Sequence, residues 1–408
     1  MYKYFDIKDR VYDITEKYPE TIDVFVANGF KQFANEDMRK SMGKAISLEM
    51  ALKSKRINID VFTQKLIEAV EQNRKSIDES LIPQTKIQGA DIRIDGVLPC
   101  PIRIPLMDAF NKWMKKNGDK LKLTVDYELK SASGGVDWIK KDIEKAKSQE
   151  ELSDIFISAG FDLFFDDKLM GRFKSKGIFE DMMDFDRLNE DFDNEYISLI
   201  DPNREYSIIG VVPAVFFVNT EELKGRNMPK SWEDIFKKEF EDSVSLPVGD
   251  FDLFNAILLN IYKRYGEEGI INLRKSMLKG MHPSEMVKSY RAADRPAVTI
   301  MPYFFTKMAQ NGGPMVAVWP EDGAIISPIF LLSKKSKRDK LKSFVDLFSS
   351  KEVGEILSHN GRFPSTNPKV ENMIPKDQKY MWLGWDYIQE NDIGRLIKEC
   401  ERIFDQSI

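Results

Sequence analysis

The chain is poor in cysteine and histidine. Its 408 residues include two cysteines and two histidines. Cys100 and Cys400 are too few for a disulfide framework and have no metal-ligand spacing. His282 and His359 leave little room for histidine-based catalysis. The sequence contains no G-x-S-x-G or H-E-x-x-H motif. These absences count against an enzyme.

The sequence also lacks an excess of charge and a long apolar run. Lysine and arginine number 61 against 66 acidic residues, and this balance excludes the basic surface of a nucleic-acid-binding protein. No apolar stretch reaches the roughly 18 residues of a transmembrane helix. The first ten residues carry charges where a signal peptide needs an apolar segment. They predict a cytoplasmic protein, with a trimmed exported lipoprotein as the alternative.

Two apolar segments about a hundred residues apart are the strongest signal that is present. They are residues 210–219 and 315–332, the second broken by the turn at 320–323. Runs rich in Val, Ile and Phe are typical of strands that are buried on both faces. A chain that leaves one lobe, builds a second and returns must cross twice. The two segments therefore predict a two-lobed clamp with its ligand in the cleft.

The remaining pattern predicts an α/β fold preceded by a small all-α domain. The predicted bounds are 1–80 for the helical domain, 81–90 for a polar linker, 91–210 for lobe 1, 211–319 for lobe 2 and 320–408 for the return to lobe 1. From residue 91 strands alternate with helices, which favours a parallel sheet. In such sheets ligands bind beyond the carboxyl ends of the strands.

Ten residues at those strand ends are the predicted ligand-binding residues. They are Cys100, Ser131, Ser133, Gly134, Gly135, Ser158, His282, Ser284, Tyr303 and Glu321. No catalytic residue, metal or cofactor is predicted. A metal site of His282, Tyr303 and Glu321 is conceivable, but the sequence spacing does not support it.

The segment Ser131-Ala-Ser-Gly-Gly135 is the best candidate for binding an anion. Free backbone N–H groups at a helix start, beside glycines that let a ligand approach, favour a carboxylate or phosphate. The alternative is a plain Ser/Gly helix cap. Cys100 lies between two prolines and is predicted to line the cleft, a small buried turn residue being the alternative. As a nucleophile it would need a base, and none is visible nearby.

From about residue 91 to its end the chain resembles the substrate-binding proteins of ABC importers, which have the type II periplasmic-binding-protein fold. The likeness rests on residues 212–219, 229–234, 281–287, 301–305, 319–324, 344–353 and 361–364. It is greatest to the branch that binds ferric iron, phosphonate and related anions. The resemblance implies a small, anionic ligand and closure by a hinge, in transport or in intracellular sensing.

Two departures from that family bear on the ligand and on location. The family is normally exported, whereas this chain shows no signal peptide. Its iron-binding members use a neighbouring tyrosine pair, and residues 301–305 offer Tyr303 alone. Ferric iron therefore stays an alternative, as does an enzyme that uses Cys100.

Residues 1 to about 75 resemble a small helical domain of unknown function found beside redox and metal-cluster proteins. The likeness rests on residues 18–30, 47–51 and 57–58. That family usually has a cysteine pair after the glycine turn, and here the stretch is Lys31-Gln-Phe-Ala34. A metal or redox role is therefore expected to be lost. The domain is instead a candidate for binding a protein partner.

Overall fold

The computed structural model describes most of the chain, with gaps. The described residues are 4–55, 57, 59, 62–63, 65–67, 69–70, 87, 89–132, 136–174, 176–248, 251–280, 294–308 and 313–407.

The N-terminal segment is helical, as predicted. Its α-helices are α1 (Val11–Lys17), α2 (Thr21–Ala27), α3 (Glu36–Met38) and α4 (Leu48–Ser54), with a 3-10 helix at Lys31–Ala34 and a π-helix at Arg39–Gly43. Ser47 caps α4 by accepting a hydrogen bond from the Met50 N–H. The buried side chains of this segment form a cluster separate from that of the rest of the chain. Two separate cores are expected of two domains.

The larger part alternates strands and helices. Its strands are β1 (Ile92–Leu98), β2 (Val125–Ser131), β3 (Ile155–Ala159), β4 (Ser207–Asn219), β5 (Val244–Leu246), β6 (Met277–Gly280), β7 (Val298–Pro302), β8 (Met315–Val318), β9 (Ala324–Ser333) and β10 (Tyr380–Met381). Its α-helices are α5 (Cys100–Leu121), α6 (Asp137–Lys145), α7 (Asp162–Phe165), α8 (Trp232–Ile235), α9 (Phe251–Ser276), α10 (Arg338–Phe348), α11 (Lys351–Glu355), α12 (Trp385–Glu390) and α13 (Ile393–Gln406). A 3-10 helix at Tyr303–Met308 directly follows β7.

Local signals in the sequence explain several helix positions. In α5 the side chains of Leu106 and Phe110 are each 1% exposed, as their spacing on one helical face predicts. Ser231 and Asp234 form a capping box at the start of α8. Helix α9 leaves helical geometry at Gly266, where φ is 66°. This glycine therefore divides α9 into two helical segments.

The two predicted crossing strands are β4 and β9. The strand order is β2-β1-β3-β9-β4-β7-β5-β6, with β10 beside β9 and β8 beside β4. Every residue of β4 and of β9 is buried. The first part of β4 pairs with β9 up to Ala214, and from Ala214 onward β4 also pairs with β7. The two strands thus join one group of strands to the other, which confirms the two-lobed fold.

The C-terminal helix connects parts of the chain that lie far apart in sequence. Helix α13 packs against α9, and the rings of Phe254 and Phe404 meet edge-on with centroids 5.3 Å apart. It also contacts α7, which follows β3. The return segment therefore touches both lobes, and the predicted domain bounds remain a prediction.

One ion pair is buried beside the sheet. The Lys334 ammonium lies 3.2 Å from the Asp154 carboxylate, and the two side chains are 6% and 3% exposed. Asp154 also accepts a hydrogen bond from the Arg93 N–H at 2.9 Å. Burial lowers the pKa of Lys334, because the charged ammonium loses water, although the Asp154 charge opposes this. The pair ties β3 to the end of β9.

Candidate functional site

The strand directions place a candidate site at the two crossing strands. Strand β3 is antiparallel to β9, and β9 is antiparallel to β4, so β3 runs in the direction of β4. Strand β7 is antiparallel to β4, and β5 is parallel to β7. The carboxyl ends of β3 and β7 therefore face each other from opposite sides of the crossing. This is the edge at which open α/β sheets bind ligands.

The residues between those two strand ends form the floor of the site. Ala159, the last residue of β3, is level with Ile329, and Pro302, the last residue of β7, is level with Ala214. Only residues 211–213 of β4 lie between the two levels, opposite residues 326–328 of β9. Within this floor Ser327 is 1% exposed, and its hydroxyl has no hydrogen-bond partner among the described residues.

A close approach between the lobes occurs at Gly160. The N–H of Gly160 donates to the Pro328 carbonyl at 3.1 Å, and its φ is 95°. A Cβ at this position would lie 2.5 Å from Oδ1 of Asp252, in the first turn of α9. Glycine is needed here for two reasons, the left-handed backbone and the absent side chain.

Charged groups surround this approach. The Lys140 ammonium lies 2.5 Å from the Asp162 carboxylate, which is at the start of α7. Burial opposes the charged form of Lys140, but the charges of Asp162 and Asp252 outweigh burial and raise its pKa. Lys140 is thus attracted to two carboxylates, Asp162 at the start of α7 and Asp252 in the first turn of α9. They lie on opposite sides of the contact between the lobes, which we call the junction.

A second contact between the lobes forms around Tyr303. The Arg362 guanidinium lies 5.0 Å from the centroid of the Tyr303 ring and donates to the Thr306 hydroxyl at 3.0 Å. The Lys307 ammonium donates to the Asn360 carbonyl at 2.6 Å. Burial and the nearby Arg362 charge lower the pKa of Lys307. The charge of Arg362 therefore acts on Lys307 at this contact between the lobes.

The segment that carries Arg362 is fixed to the crossing strand. Gly210 of β4 forms a bridge with Ser365, and the Val211 N–H donates to the Pro364 carbonyl at 3.0 Å. The segment thus lies along the edge of β4 that β7 occupies further on. A Cβ at Gly361 would lie 2.5 Å from the Ile102 side chain, in the first turn of α5. Arg362 is therefore held between the start of α5 and the end of β7.

The structure describes some of the ten predicted residues. Cys100 is the first residue of α5, and Ser131 is the last residue of β2. Ser158 is 1% exposed, and its hydroxyl donates to the Ala159 carbonyl at 3.1 Å. Tyr303 lies at the end of β7, beside the crossing strand, where it was expected.

One further predicted residue is exposed at the surface, and the rest are not described. Glu321 is 69% exposed and lies 3.3 Å from the Lys230 ammonium. Ser133, Gly134, Gly135, His282 and Ser284 lie outside the described residues. The ligand-binding role of all ten residues remains a prediction.

Residues at the junction that the prediction did not include are Gly160, Asp252, Lys307 and Arg362. Gly160 ends a predicted strand in small residues, and residues 361–364 carry part of the family resemblance. The small residues at the strand end could have suggested Gly160, and the family resemblance could have suggested Arg362. Nothing in the local sequence around Lys307 pointed to the site. Its hydrogen-bond partner at the junction, Asn360, is 53 residues away along the chain.

In the described part of the chain, no three His, Cys, Asp or Glu side chains come together in a way that could hold a metal ion. No described helix has the length and apolar character needed to cross a bilayer.

The two-lobed part of the chain matches a known protein family. Residues 150–391 match the family described as "Bacterial extracellular solute-binding protein". The chain belongs to this family. Residues 5–62 of this solute-binding protein match a domain of unknown function, DUF1858, in agreement with the resemblance of the helical segment. No curated protein matches the chain significantly.

Solved structures confirm the periplasmic-binding-protein fold. The ferric binding protein from Campylobacter jejuni is 17% identical with a TM-score of 0.55, over 78% of this chain and 99% of that one. The periplasmic binding protein AfuA from Actinobacillus pleuropneumoniae, with exogenous fructose-6-phosphate bound, is 17% identical with a TM-score of 0.52, over 77% and 98%. The Trichodesmium protein FutA, in complex with iron and citrate, is 11% identical with a TM-score of 0.54, over 78% and 98%.

The prediction of a cytoplasmic location is wrong. The family to which the protein belongs is extracellular, and AfuA is described as periplasmic. The prediction rested on the charged residues 1–10, which were taken as a missing signal peptide. The charges of these residues therefore do not show where the folded protein acts.

Proposed function

We propose that this solute-binding protein closes its two lobes around a small anion outside the cytoplasm and presents it to an ABC permease. The observation that carries the proposal is the convergence of the carboxyl ends of β3 and β7 at the crossing strands. Closure is a rotation about those strands. A ligand favours the closed form only through contacts that are better there, so it must touch both lobes.

Two observations support an anionic solute. The predicted Ser131–Gly135 loop precedes the nine-residue helix α6, whose first N–H groups lack intrahelical partners. Two structures with this fold hold anionic compounds, fructose-6-phosphate and citrate with iron. The helix dipole adds only about 0.3–1 kcal/mol, so hydroxyl and N–H donors must provide most of the affinity.

The first test is closure. Small-angle scattering of the protein with its co-purifying solute, against protein stripped by mild denaturation and refolding, should give a smaller radius of gyration for the bound form. An unchanged radius despite calorimetrically confirmed binding would refute the hinge.

The second test concerns the loop. Ser133→Ala should remove one charge-assisted hydrogen bond, worth about 1.5–3 kcal/mol, and weaken binding about ten- to hundredfold. Gly134→Val should weaken it more, because a bulky side chain blocks approach to the backbone. Ser350→Ala is the matched control, since Ser350 caps α11 by accepting from the Val353 N–H. If all three variants bind as wild type does, the loop is only a helix cap.

Ferric iron is a second candidate because of the similarity to ferric binding proteins. Tyr303 would then be a ligand, since its ring lies at the junction. Incubation with ferric citrate, followed by measurement of bound iron by mass spectrometry, should show stoichiometric iron in wild type and a loss in Tyr303→Phe. Absence of iron from wild type would exclude this candidate.

We also propose that the protein is not an enzyme. An enzyme on this fold would need Cys100 as a nucleophile, and a reactive thiol labels fast near neutral pH. Burial raises the pKa of the Cys400 thiol to about 12, so Cys400 should label only after unfolding. Slow labelling of both cysteines in the native protein would support the proposal. Fast labelling of Cys100, measured by peptide mass spectrometry, would reopen the enzymatic alternative.

The helical domain at residues 1–80 is proposed to bind a protein partner. The support is its separate core, which is expected of a domain that folds as its own unit. Cross-linking of the full chain to a purified permease, with and without residues 1–80, tests this. Equal cross-linking yields would argue against a role of the domain in that contact.

A further inference from the structure

The cations at the Tyr303 contact have no acidic partner in the part of the chain that the structure describes. Among the described residues, neither Arg362 nor Lys307 forms an ion pair with a carboxylate. Their hydrogen bonds go to neutral oxygens, the Thr306 hydroxyl at 3.0 Å and the Asn360 carbonyl at 2.6 Å. Most of the five N–H donors of a guanidinium remain for another acceptor. Neighbouring like charges repel each other, and an anion bound between them would relieve that repulsion.

The backbone at Arg362 supports a functional role. Its φ is 49°, in the left-handed region that non-glycine residues seldom adopt. Such conformations persist where the surrounding structure enforces them, and they concentrate at binding sites. Here the bridge from Gly210 to Ser365 and the tight packing of Gly361 on Ile102 hold the segment. The structure thus keeps in a left-handed conformation an arginine that pairs with no carboxylate of the described residues.

The aromatic neighbours fix the directions of both cations. The Arg362 guanidinium is 5.0 Å from the Tyr303 centroid, and the Lys307 ammonium is 4.8 Å from the Phe304 centroid. A cation over a ring face is attracted by the ring quadrupole, which orders the long side chain before a ligand arrives. Preordering reduces the entropy lost on binding.

We propose that Arg362 and Lys307 form an oxyanion subsite, which takes the carboxylate or phosphate group of the solute. The guanidinium fork matches two oxygens of such a group, and the ammonium adds a point charge. Because Arg362 is on the return segment and Lys307 follows β7, an oxyanion between them draws the two lobes together. This inference rests on the proposed function, and it names the residues that select the charge of the solute.

The test measures binding of defined anions by calorimetry. The probes are fructose-6-phosphate, inorganic phosphate and citrate, which separate phosphate from carboxylate recognition. The variants are Arg362→Gln and Lys307→Gln. The controls are Arg187→Gln, whose guanidinium is exposed and pairs with Asp193, and Lys369→Gln, which is exposed on the same return segment. Each pair removes the same charge, so long-range electrostatic effects cancel.

At least one probe should bind wild type, and each subsite variant should weaken it about ten- to hundredfold while the controls stay within about twofold. Thermal melts of the four variants establish that they fold. The inference is overturned if no probe binds wild type, or if subsite and control variants bind alike. It is also overturned if Arg362→Gln weakens binding but Lys307→Gln does not, because Arg362 would then act by holding Thr306. In each of these cases the proposed function is tested separately, by whether the lobes close around the co-purifying solute in small-angle scattering.

Discussion

Replacing Gly160 by alanine should destabilise the contact between the lobes. Two costs add in this variant. Alanine at a φ of 95° pays the left-handed penalty of about 1–2 kcal/mol. Its Cβ would also lie 2.5 Å from Oδ1 and 3.0 Å from Cγ of Asp252, so the Asp252 side chain or the start of α9 must move. Couplings between residues in contact run to about 0.5–3 kcal/mol.

Gly225→Ala is a matched control for this change. Gly225 has a φ of 91°, and nothing lies within 4 Å of the position of its Cβ. It should therefore show the backbone penalty alone, about 1–2 kcal/mol. The free energy of unfolding, measured by urea denaturation with tryptophan fluorescence, should fall further for Gly160→Ala than for Gly225→Ala. The difference reports the contact with Asp252.

A double variant separates collision from backbone strain. In Gly160→Ala/Asp252→Ala the carboxylate that the new Cβ would contact is absent. Adding Gly160→Ala to Asp252→Ala should therefore lower the free energy of unfolding by little more than the backbone penalty. Small-angle scattering should show a larger radius of gyration for Gly160→Ala than for the double variant. Equal losses for Gly160→Ala and Gly225→Ala, or no recovery in the double variant, would refute the reasoning.

Three further predictions concern stability. Asp154→Asn should cost about 3–5 kcal/mol in urea denaturation, because Lys334 stays buried without its partner, whereas Glu36→Gln in an exposed pair should be nearly silent. Burial acts to raise the pKa of Asp234, but its hydrogen bonds to Lys237 and Ser231 bring it down to about 2 from 3.8. A depressed carboxyl pKa stabilises the fold above the unfolded value, so this contribution should be lost as pH falls from about 4 to 2, and Asp234→Asn should flatten the pH dependence there. A chain that starts at residue 88 should still melt cooperatively, since the two buried clusters are separate; loss of cooperativity would show that they depend on each other.

The sequence by itself determined the architecture. The apolar runs at 210–219 and 315–332 correspond to β4 and to β8 and β9, and the turn at 320–323 separates the last two. Strand periodicity and helix caps are local, because they depend on which face a residue presents and on its nearest neighbours. A strand that is buried on both faces is a nearly continuous apolar run, so it can be recognised in the sequence without a structure. The two runs themselves predicted two lobes, and the family resemblance added closure by a hinge.

The tertiary structure alone decided which side chains meet at the junction. Gly160 meets Asp252 from 92 residues away, and Arg362 meets Tyr303 only because both segments lie along one edge of β4. Periodicity reports burial, but it carries no information about register between strands so distant in the chain. The charge of Arg362 could be read from the sequence, whereas the absence of a carboxylate partner among the described residues could not. That lack depends on every residue packed around it, and only the folded chain determines those.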